Sequence, residues 1–437
     1  MVIALLVFLT LSCGHSNPQI DSTIEVESVI TDSISYEDLG RIKDGQLFIE
    51  QDVDLNRCAC QLPQGITLCA KGGILRNGKI IGNETRIEGK KALFDKVTIC
   101  GSWNVPMITS SMFADLDYEN SLHDVLALAS PDDHNKIIIE KGNYKVRARK
   151  NGDVCLQLCS NTDFVLNGTI QIEPNDFKNY YIIRATGENI NMRGKGSIIG
   201  DKPNHTGTEG EWGMGIDIRD AENTSVRGLT IKDCWGDCIY VGGRSRIVLI
   251  ENCKLDNGRR QGISITKADG VTIRNCLITN VSGTNPEYAI DIEPNRPDSV
   301  GNILIDRVTV RGCEGGIIVV HGATEEGAVT PWIGTVTIKD CDVRSKSKYP
   351  VRVVRPEKVT VKGNTLYAPD GLPAITITYT GDATVEDNNV SVCYGLTDNL
   401  KNEIRAIVGK GRKYPIDIRR ADRITETNNK IMKRKEN

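Results

Sequence analysis

The sequence predicts an all-β chain wound as a parallel β-solenoid, and three observations predict it. The first is a repeated four-residue unit: Gly-Ile-Asp-Ile at 215–218, Cys-Ile-Tyr-Val at 238–241, Gly-Ile-Ser-Ile at 262–265, Ala-Ile-Asp-Ile at 289–292 and Gly-Ile-Ile-Val at 316–319. The second is another series interleaved with it, Leu-Thr-Ile-Lys-Asp-Cys at 229–234, Leu-Ile-Glu-Asn-Cys at 249–253, Val-Thr-Ile-Arg-Asn-Cys at 271–276, Val-Thr-Val-Arg-Gly-Cys at 308–313 and Val-Thr-Ile-Lys-Asp-Cys at 336–341. Self-similarity at twenty-odd residues, without a helical unit between short strands, marks coils that stack and bury a core only against their neighbours. The third is composition: 437 residues with 42 glycines and only 5% aromatic side chains describe a turn-rich chain.

Taken in order, residues 1–13 are read as a signal: Met1 to Ser12 is an almost wholly apolar run leading into Leu11-Ser12-Cys13-Gly14, which resembles a bacterial lipoprotein signal with acylation at Cys13. That resemblance implies a lipid-anchored protein of the bacterial cell envelope. Residues 14–43 are polar and read as a tether. Residues 44–116 alternate short β-type runs with Gly and Asn, as in 72–82, and predict an N-terminal β region. Residues 117–395 are the solenoid. Leu122, Val125, Leu126 and Leu128 near its start have helical spacing and predict a helix that caps the first coil, since an open end would expose core and strand edges. Residues 396–437 are the end of the solenoid and a tail, with one candidate coil at 416–428. No later segment is long and apolar enough to cross a membrane as a helix.

Equivalent residues of successive coils should lie directly over one another, about 4.8 Å apart. Ile216, Ile239, Ile263, Ile290 and Ile317 then form an interior stack. Cys234, Cys253, Cys276, Cys313 and Cys341 read as a second column, continued by Asn364 and Asn388. Small buried thiols and hydrogen-bonded amides suit such a position, so these cysteines are expected to pack and not to bind metal. Fifty-four basic against fifty-seven acidic residues, with no dense basic stretch before 433–435, argue against a nucleic-acid partner.

Strand alternation sends the residues beside the interior isoleucines outward. The outward column is Asp217, Tyr240, Ser264, Asp291, Ile318 and Arg352, with Arg219, Thr266 and Glu293 two residues further on. Turns entering these strands add Trp212, Trp235, Asp237, Arg259, Arg260, Gln261 and Tyr288. Carboxylates, arginines and aromatics gathered on one sheet face predict a site.

In this stretch, Gly236-Asp237-Cys238-Ile239, Arg260-Gln261-Gly262-Ile263-Ser264-Ile265 and Ala289-Ile290-Asp291-Ile292-Glu293 resemble the polygalacturonase branch of the pectin-active right-handed β-helix enzymes. The resemblance implies a right-handed parallel β-helix and activity on polysaccharide. It carries over Asp237 alone as a catalytic-type residue: Gly236, Met214 and Gln261 stand where that family has Asp, Asp and His, and Asp291 and Glu293 where it has Arg and Lys.

Glycoside hydrolysis needs two carboxyl groups. Asp291 and Glu293, with Cα atoms about 6.6 Å apart at about 3.3 Å per residue, are the candidate pair, and Asp237 is the third candidate. Arg259 or Arg260 could hold one carboxylate ionised while its like-charged neighbour is raised into an acid. Asp217, Trp212, Trp235, Tyr240, Arg259, Arg260, Gln261, Tyr288 and the loop residue His205 are candidate substrate contacts. Hydrolysis needs no cofactor and no metal. The alternatives are a lyase or epimerase, assisted by Ca²⁺ on Asp217, Asp291 and Glu293, and a non-catalytic glycan-binding solenoid. Without a metal, anions in place of the family's cations lead to the expectation of a neutral or amino sugar beside Asp291 and Glu293; with Ca²⁺ between them an acidic glycan becomes acceptable.

Overall fold

The computed structural model describes residues 32–117, 121–295, 297–321, 332–393 and 415–434. Its strands run parallel from coil to coil and form the expected solenoid with three faces. The first face includes Ile239–Gly242, Ile263–Ile265, Tyr288–Ile292, Gly315–Val319, Val351–Val354, Ile375–Thr378 and Ile416–Arg419. The second includes Ser245–Glu251, Ala268–Arg274, Ser299–Asp306, Thr335–Lys339, Lys358–Lys362, Asp382–Glu386 and Arg423–Thr427. The third is a separate sheet of eleven strands running from Asn143–Val146 to Lys430–Arg434. The long strand Trp212–Arg227 turns the corner between the first two faces, pairing with Ile239–Gly242 and then with Ser245–Glu251.

The isoleucine stack is as read. Ile216 pairs with Ile239, Ile239 with Ile263, Ile263 with Ile290 and Ile290 with Ile317, and the column continues through Val351, Ile375 and Ile416. The five isoleucines have no exposed surface. Each buried side chain of this size contributes about 1.5–3 kcal/mol, and the coil repeat multiplies that contribution along the axis.

The cysteines occupy two columns where the repeats suggested one. Strand register puts Leu229, Cys253, Cys276, Val308, Cys341, Asn364, Asn388 and Asn429 in line, each immediately before a third-face strand. Cys234 instead comes after a third-face strand and Cys313 ends one, in line with Gly258, Val281 and Ser345. The hexapeptides at 229–234 and 271–276 look alike but lie on different faces, because a coil contains more than one apolar-strand-then-turn unit. In the first column the Sγ atoms of Cys253 and Cys276 lie 3.5 and 3.7 Å from the carbonyl oxygens of Val226 and Ile250, in the coil before. From Asn364 onward the column is held amide to amide: Asn364 Nδ2 donates to Asn388 Oδ1 and Asn388 Nδ2 to Asn429 Oδ1, both at 2.9 Å.

The N-terminal β region also stacks in parallel, with Gln46–Ile49 on Thr67–Ala70 and Thr67–Ala70 on the end of Leu75–Glu88. The tether expected up to residue 43 is ordered in its last part. Leu39, in the turn of 3-10 helix Tyr36–Leu39, is buried, and Arg41–Lys43 pairs antiparallel with Gln46–Ile49. An apolar side chain with a pocket to fill draws the preceding residues onto the stack. The helix is shorter than its apolar pattern suggested, Leu122–Leu126, and buries Leu122 and Val125 between strands Phe94–Trp103 and Asp153–Leu158. Residues 416–434 supply one further coil on all three faces.

At the corner between the first and second faces one position repeats in the left-handed region: Asn161, Asn189, Asn223, Ile247, Gly270 and Asn302, with φ between 51° and 71°. Asn and Gly accept that conformation; a β-branched side chain does not. Ile247 is the one β-branched residue with positive φ among the described residues, and it is 60% exposed. Ile247→Asn is therefore expected to stabilise the protein by about 1–2 kcal/mol in chemical denaturation. An unchanged or lower midpoint would show that the strain is absent.

Candidate functional site

The strand Tyr288–Ile292 and the two that follow it on the first face form the floor of a cleft of about 430 Å³. Asp291 and Glu293 line it on one side, Ile318 and Val320 lie in the middle, and Arg352, Arg355, His321 and Tyr379 complete the wall. The outward column is as read from the alternation: Asp217 pairs with Tyr240, Tyr240 with Ser264, Ser264 with Asp291, Asp291 with Ile318 and Ile318 with Arg352.

Asp291 is 2% exposed. Its Oδ2 accepts a hydrogen bond from Gln261 Nε2 at 2.7 Å, and its Oδ1 has no protein partner. Burial, and next the charge of Glu293, push its carboxyl well above the ordinary range, against a smaller opposing pull from Arg260. Gln261 is itself buried and fixed from behind, its Oε1 accepting from the Tyr288 backbone N–H at 2.8 Å.

Asp237 lies in the coil two before Asp291, about 9.6 Å along the axis at about 4.8 Å per coil. It has no exposed surface. Ser264 Oγ donates to its Oδ2 at 2.7 Å, and Arg260 Nη1 lies 3.5 Å away. Burial raises its carboxyl while Arg260 and the Ser264 bond oppose the rise. Arg260 is the hub. Burial lowers its guanidinium, but Asp237, Asp291, Glu211 and Glu293 together hold it above its usual value, and Glu211 Oε2 is 3.3 Å from its Nε.

Several residues expected to touch sugar instead build the wall behind the site. Trp235 is 9% exposed and has both faces covered, by the His205 ring at 3.8 Å and by the Arg259 guanidinium at 3.8 Å. His205, expected on an overhanging loop, has a side chain with no exposed surface; its Nδ1 is 2.8 Å from Asp201, which also accepts from the buried Tyr180 hydroxyl. Arg259 Nη1 donates to the Gly210 carbonyl at 2.8 Å, so residues 201–211 are clasped to the coils beneath them. Tyr288 is 3% exposed and held by burial well up, at about 12. Asp217 is fully buried between Arg184 at 2.6 Å and Arg219 at 3.2 Å. It lies three coils from Asp291, about 14 Å, too far for one Ca²⁺ to bridge them. Among the described residues no three His, Cys, Asp or Glu side chains converge as a metal site.

Trp212 and Tyr240 remain open to a ligand. Trp212 is 47% exposed, and Tyr240 is half-buried with its hydroxyl 2.6 Å from Thr266 and Arg219 over its ring at 5.0 Å. On the other side of the acids stands a ladder that the sequence reading missed. His321 Nε2 lies 3.1 Å from Arg355 Nη1, Arg355 is over the Tyr379 ring at 5.0 Å, and Arg420 is over the same ring at 4.7 Å. Arg355, Tyr379 and Arg420 all have positive φ. They sit one step past each strand, where a repeat in geometry is not matched by a repeat in residue type. Glu211 was missed because it reaches the site from the clasped loop.

A three-faced parallel coil with a charged cleft along one face defines a class, the β-helix proteins. A family model described as the right handed beta helix region matches residues 142–298. The chain has the right-handed parallel β-helix fold. It is 30% identical over 209 residues to an uncharacterized protein of Bacillus subtilis, YclG, covering 40% of this chain and 35% of that one. It is 23% identical over 308 residues to an SPbeta prophage-derived uncharacterized protein of the same organism, YorA, covering 63% of this chain and 46% of that one. The chain thus spans less than half the length of these relatives. Among solved structures it is similar to the A-module of the mannuronan C-5 epimerase AlgE6 of Azotobacter vinelandii, with 13% identity, a TM-score of 0.50 and coverage of 72% of this chain and 99% of that one.

Proposed function

We propose that this chain acts on a polysaccharide and cleaves its glycosidic bonds, with Asp291 as the general acid and Glu293 as the second carboxylate. The observation that carries the reading is the state of Asp291. A carboxyl lining a cleft, buried, held on one oxygen by Gln261 and unpartnered on the other, is biased toward its protonated form, in which it can pass a proton to a leaving glycosidic oxygen. Glu293, two residues on, supplies the carboxylate that activates water or attacks the sugar. Asp237 is assigned a positioning role, through Ser264 and Arg260. The apolar strip Ile318 and Val320 offers the surface on which a ring can lie. The name of the Azotobacter protein, a mannuronan epimerase, supports a sugar polymer as the ligand of such a groove.

A second reading has its own observation. Arg352, Arg355, His321 and Tyr379 share the cleft with the acids, a set able to grip a carboxylate and move a proton beside it, as a lyase or epimerase requires. Incubation with a panel of neutral and acidic glycans separates the readings. New reducing ends without absorbance from unsaturated uronates, insensitive to chelator and lost in Glu293→Gln, support hydrolysis. Unsaturated products, or turnover lost on chelation, overturn it. A folded protein that binds glycan and releases no product overturns both.

Cys13 lies outside the described residues, and we assign it the lipid anchor on its sequence context alone. Cys13→Ala is expected to shift the protein from the membrane to the soluble fraction of cells expressing the full chain; unchanged partition would remove the envelope-anchored reading.

A further inference from the structure

The second face carries a groove of about 470 Å³ that the proposed chemistry does not use. It opens where the asparagine ladder at the corner stops. Asn189 Nδ2 donates to Asn161 Oδ1 at 3.0 Å and Asn223 Nδ2 to Asn189 Oδ1 at 2.7 Å. In the next coil the equivalent residue is Ile247, which has nothing to donate, and after it Gly270, which has no side chain. The ladder therefore ends on the side-chain carbonyl of Asn223, facing a recess walled by Ile247 and floored by Leu249 and Thr272.

Two features show that Ile247 is not there for the fold. Its backbone is in a conformation that Asn or Gly would hold without strain, as they do in the coils around it. Its side chain is exposed, so it gains little from burial in return. The charges of the groove are already engaged: Arg274 Nη2 lies 2.8 Å from Glu251, Arg227 Nε lies 3.6 Å from the same carboxylate, and Arg227 Nη1 donates to Asn191 at 3.0 Å. What the recess offers a ligand is an amide carbonyl, a threonine hydroxyl and an apolar wall.

We infer that this groove is a second, non-catalytic carbohydrate-binding site, taking a neutral sugar segment whose hydroxyls meet Asn223 and Thr272 and whose C–H face lies on Ile247. Neutral sugars present hydroxyls around the rim of a ring and C–H bonds on its face, which is the pattern the recess complements. Strain retained at an exposed position is then the cost of placing an apolar wall beside a polar ladder.

The test is calorimetric titration of glucose, xylose and mannose hexasaccharides into the full chain carrying Asp291→Asn, so that turnover plays no part. At least one saccharide is expected to bind, and binding is expected to weaken about tenfold, about 1.4 kcal/mol, when Ile247→Asn or Asn223→Gly is added. Both replacements suit the left-handed backbone, so folding is preserved, and Ile247→Asn is expected to raise the melting temperature while it weakens binding. Binding by none of the three saccharides, or equal binding with and without the added changes, overturns the site. Because the measurement is made on a chain without the proposed acid, failure of the hydrolase reading leaves the result interpretable.

Discussion

Asp291→Asn is expected to lower turnover by about 10²–10⁴-fold, the contribution of a positioned general acid, and at the same time to raise the melting temperature at neutral pH. The two effects have one origin. Burial holds the Asp291 carboxyl above its unfolded value, so the folded state binds the proton more tightly than the unfolded state does. This group's contribution to stability is most favourable below the unfolded pKa, is lost as pH rises through the folded pKa, and stays lost above it. Asparagine keeps the shape, can accept from Gln261 through its carbonyl oxygen, and never ionises. Thermal melts across the acid-to-neutral range should show the variant gaining on the parent as pH rises, while reducing-end assays show the loss of activity. A variant that is inactive and also less stable at neutral pH would mean that Asp291 is an ionised structural anion, and the acid would have to be sought elsewhere on the face.

The second large effect is expected at Arg260. Its guanidinium is mostly buried and answers four carboxylates, so Arg260→Met removes the cation set against Asp237 and Asp291 in the interior of the site. Breaking a buried pair by deleting one partner costs about 3–5 kcal/mol. The sign with pH follows from the acids left behind. Without Arg260 both carboxyls rise further above their unfolded values, so the penalty is full at neutral pH and shrinks as acidification protonates them. Urea denaturation at neutral and acid pH measures the difference between parent and variant at each. A constant gap across that range would show that Arg260 contributes packing and not charge.

What the sequence made legible follows from the solenoid's two periods. Alternation along a strand identified the Ile216-to-Ile317 stack and the outward column through Asp217 and Asp291, because inward and outward positions differ in polarity in every coil. Position within the coil was less legible. The unit ending in Cys234 and the unit ending in Cys276 share a pattern, and only pairing with the coils on either side shows that they belong to different faces. Burial of outward residues was not legible at all. Trp235, His205 and Asp217 are polar or aromatic residues at turns or outward positions, and nothing local reveals that Arg259 covers Trp235, that Trp235 covers His205 or that Arg184 covers Asp217, each from another segment. The same limit hid Arg355 and Tyr379, whose role comes from stacking on each other across coils.

The change of residue type along the Cys253-to-Asn429 column bears on how the molecule opens. In the cysteine half each thiol lies against a backbone carbonyl of the coil before, and the one thiol-to-thiol contact, Cys253 with Cys276, joins a weak donor to a weak acceptor. In the asparagine half each amide holds both the coil before it and the amide after it, so breaking one bond leaves its neighbours with unsatisfied buried donors. Amide hydrogens of the coils around Asn364 and Asn388 should therefore exchange with solvent as one block with a shared opening energy, whereas those around Cys253 and Cys276 should open coil by coil. The proposed acid lies on the cysteine side of that divide, in the part of the axis where neighbouring coils can shift separately.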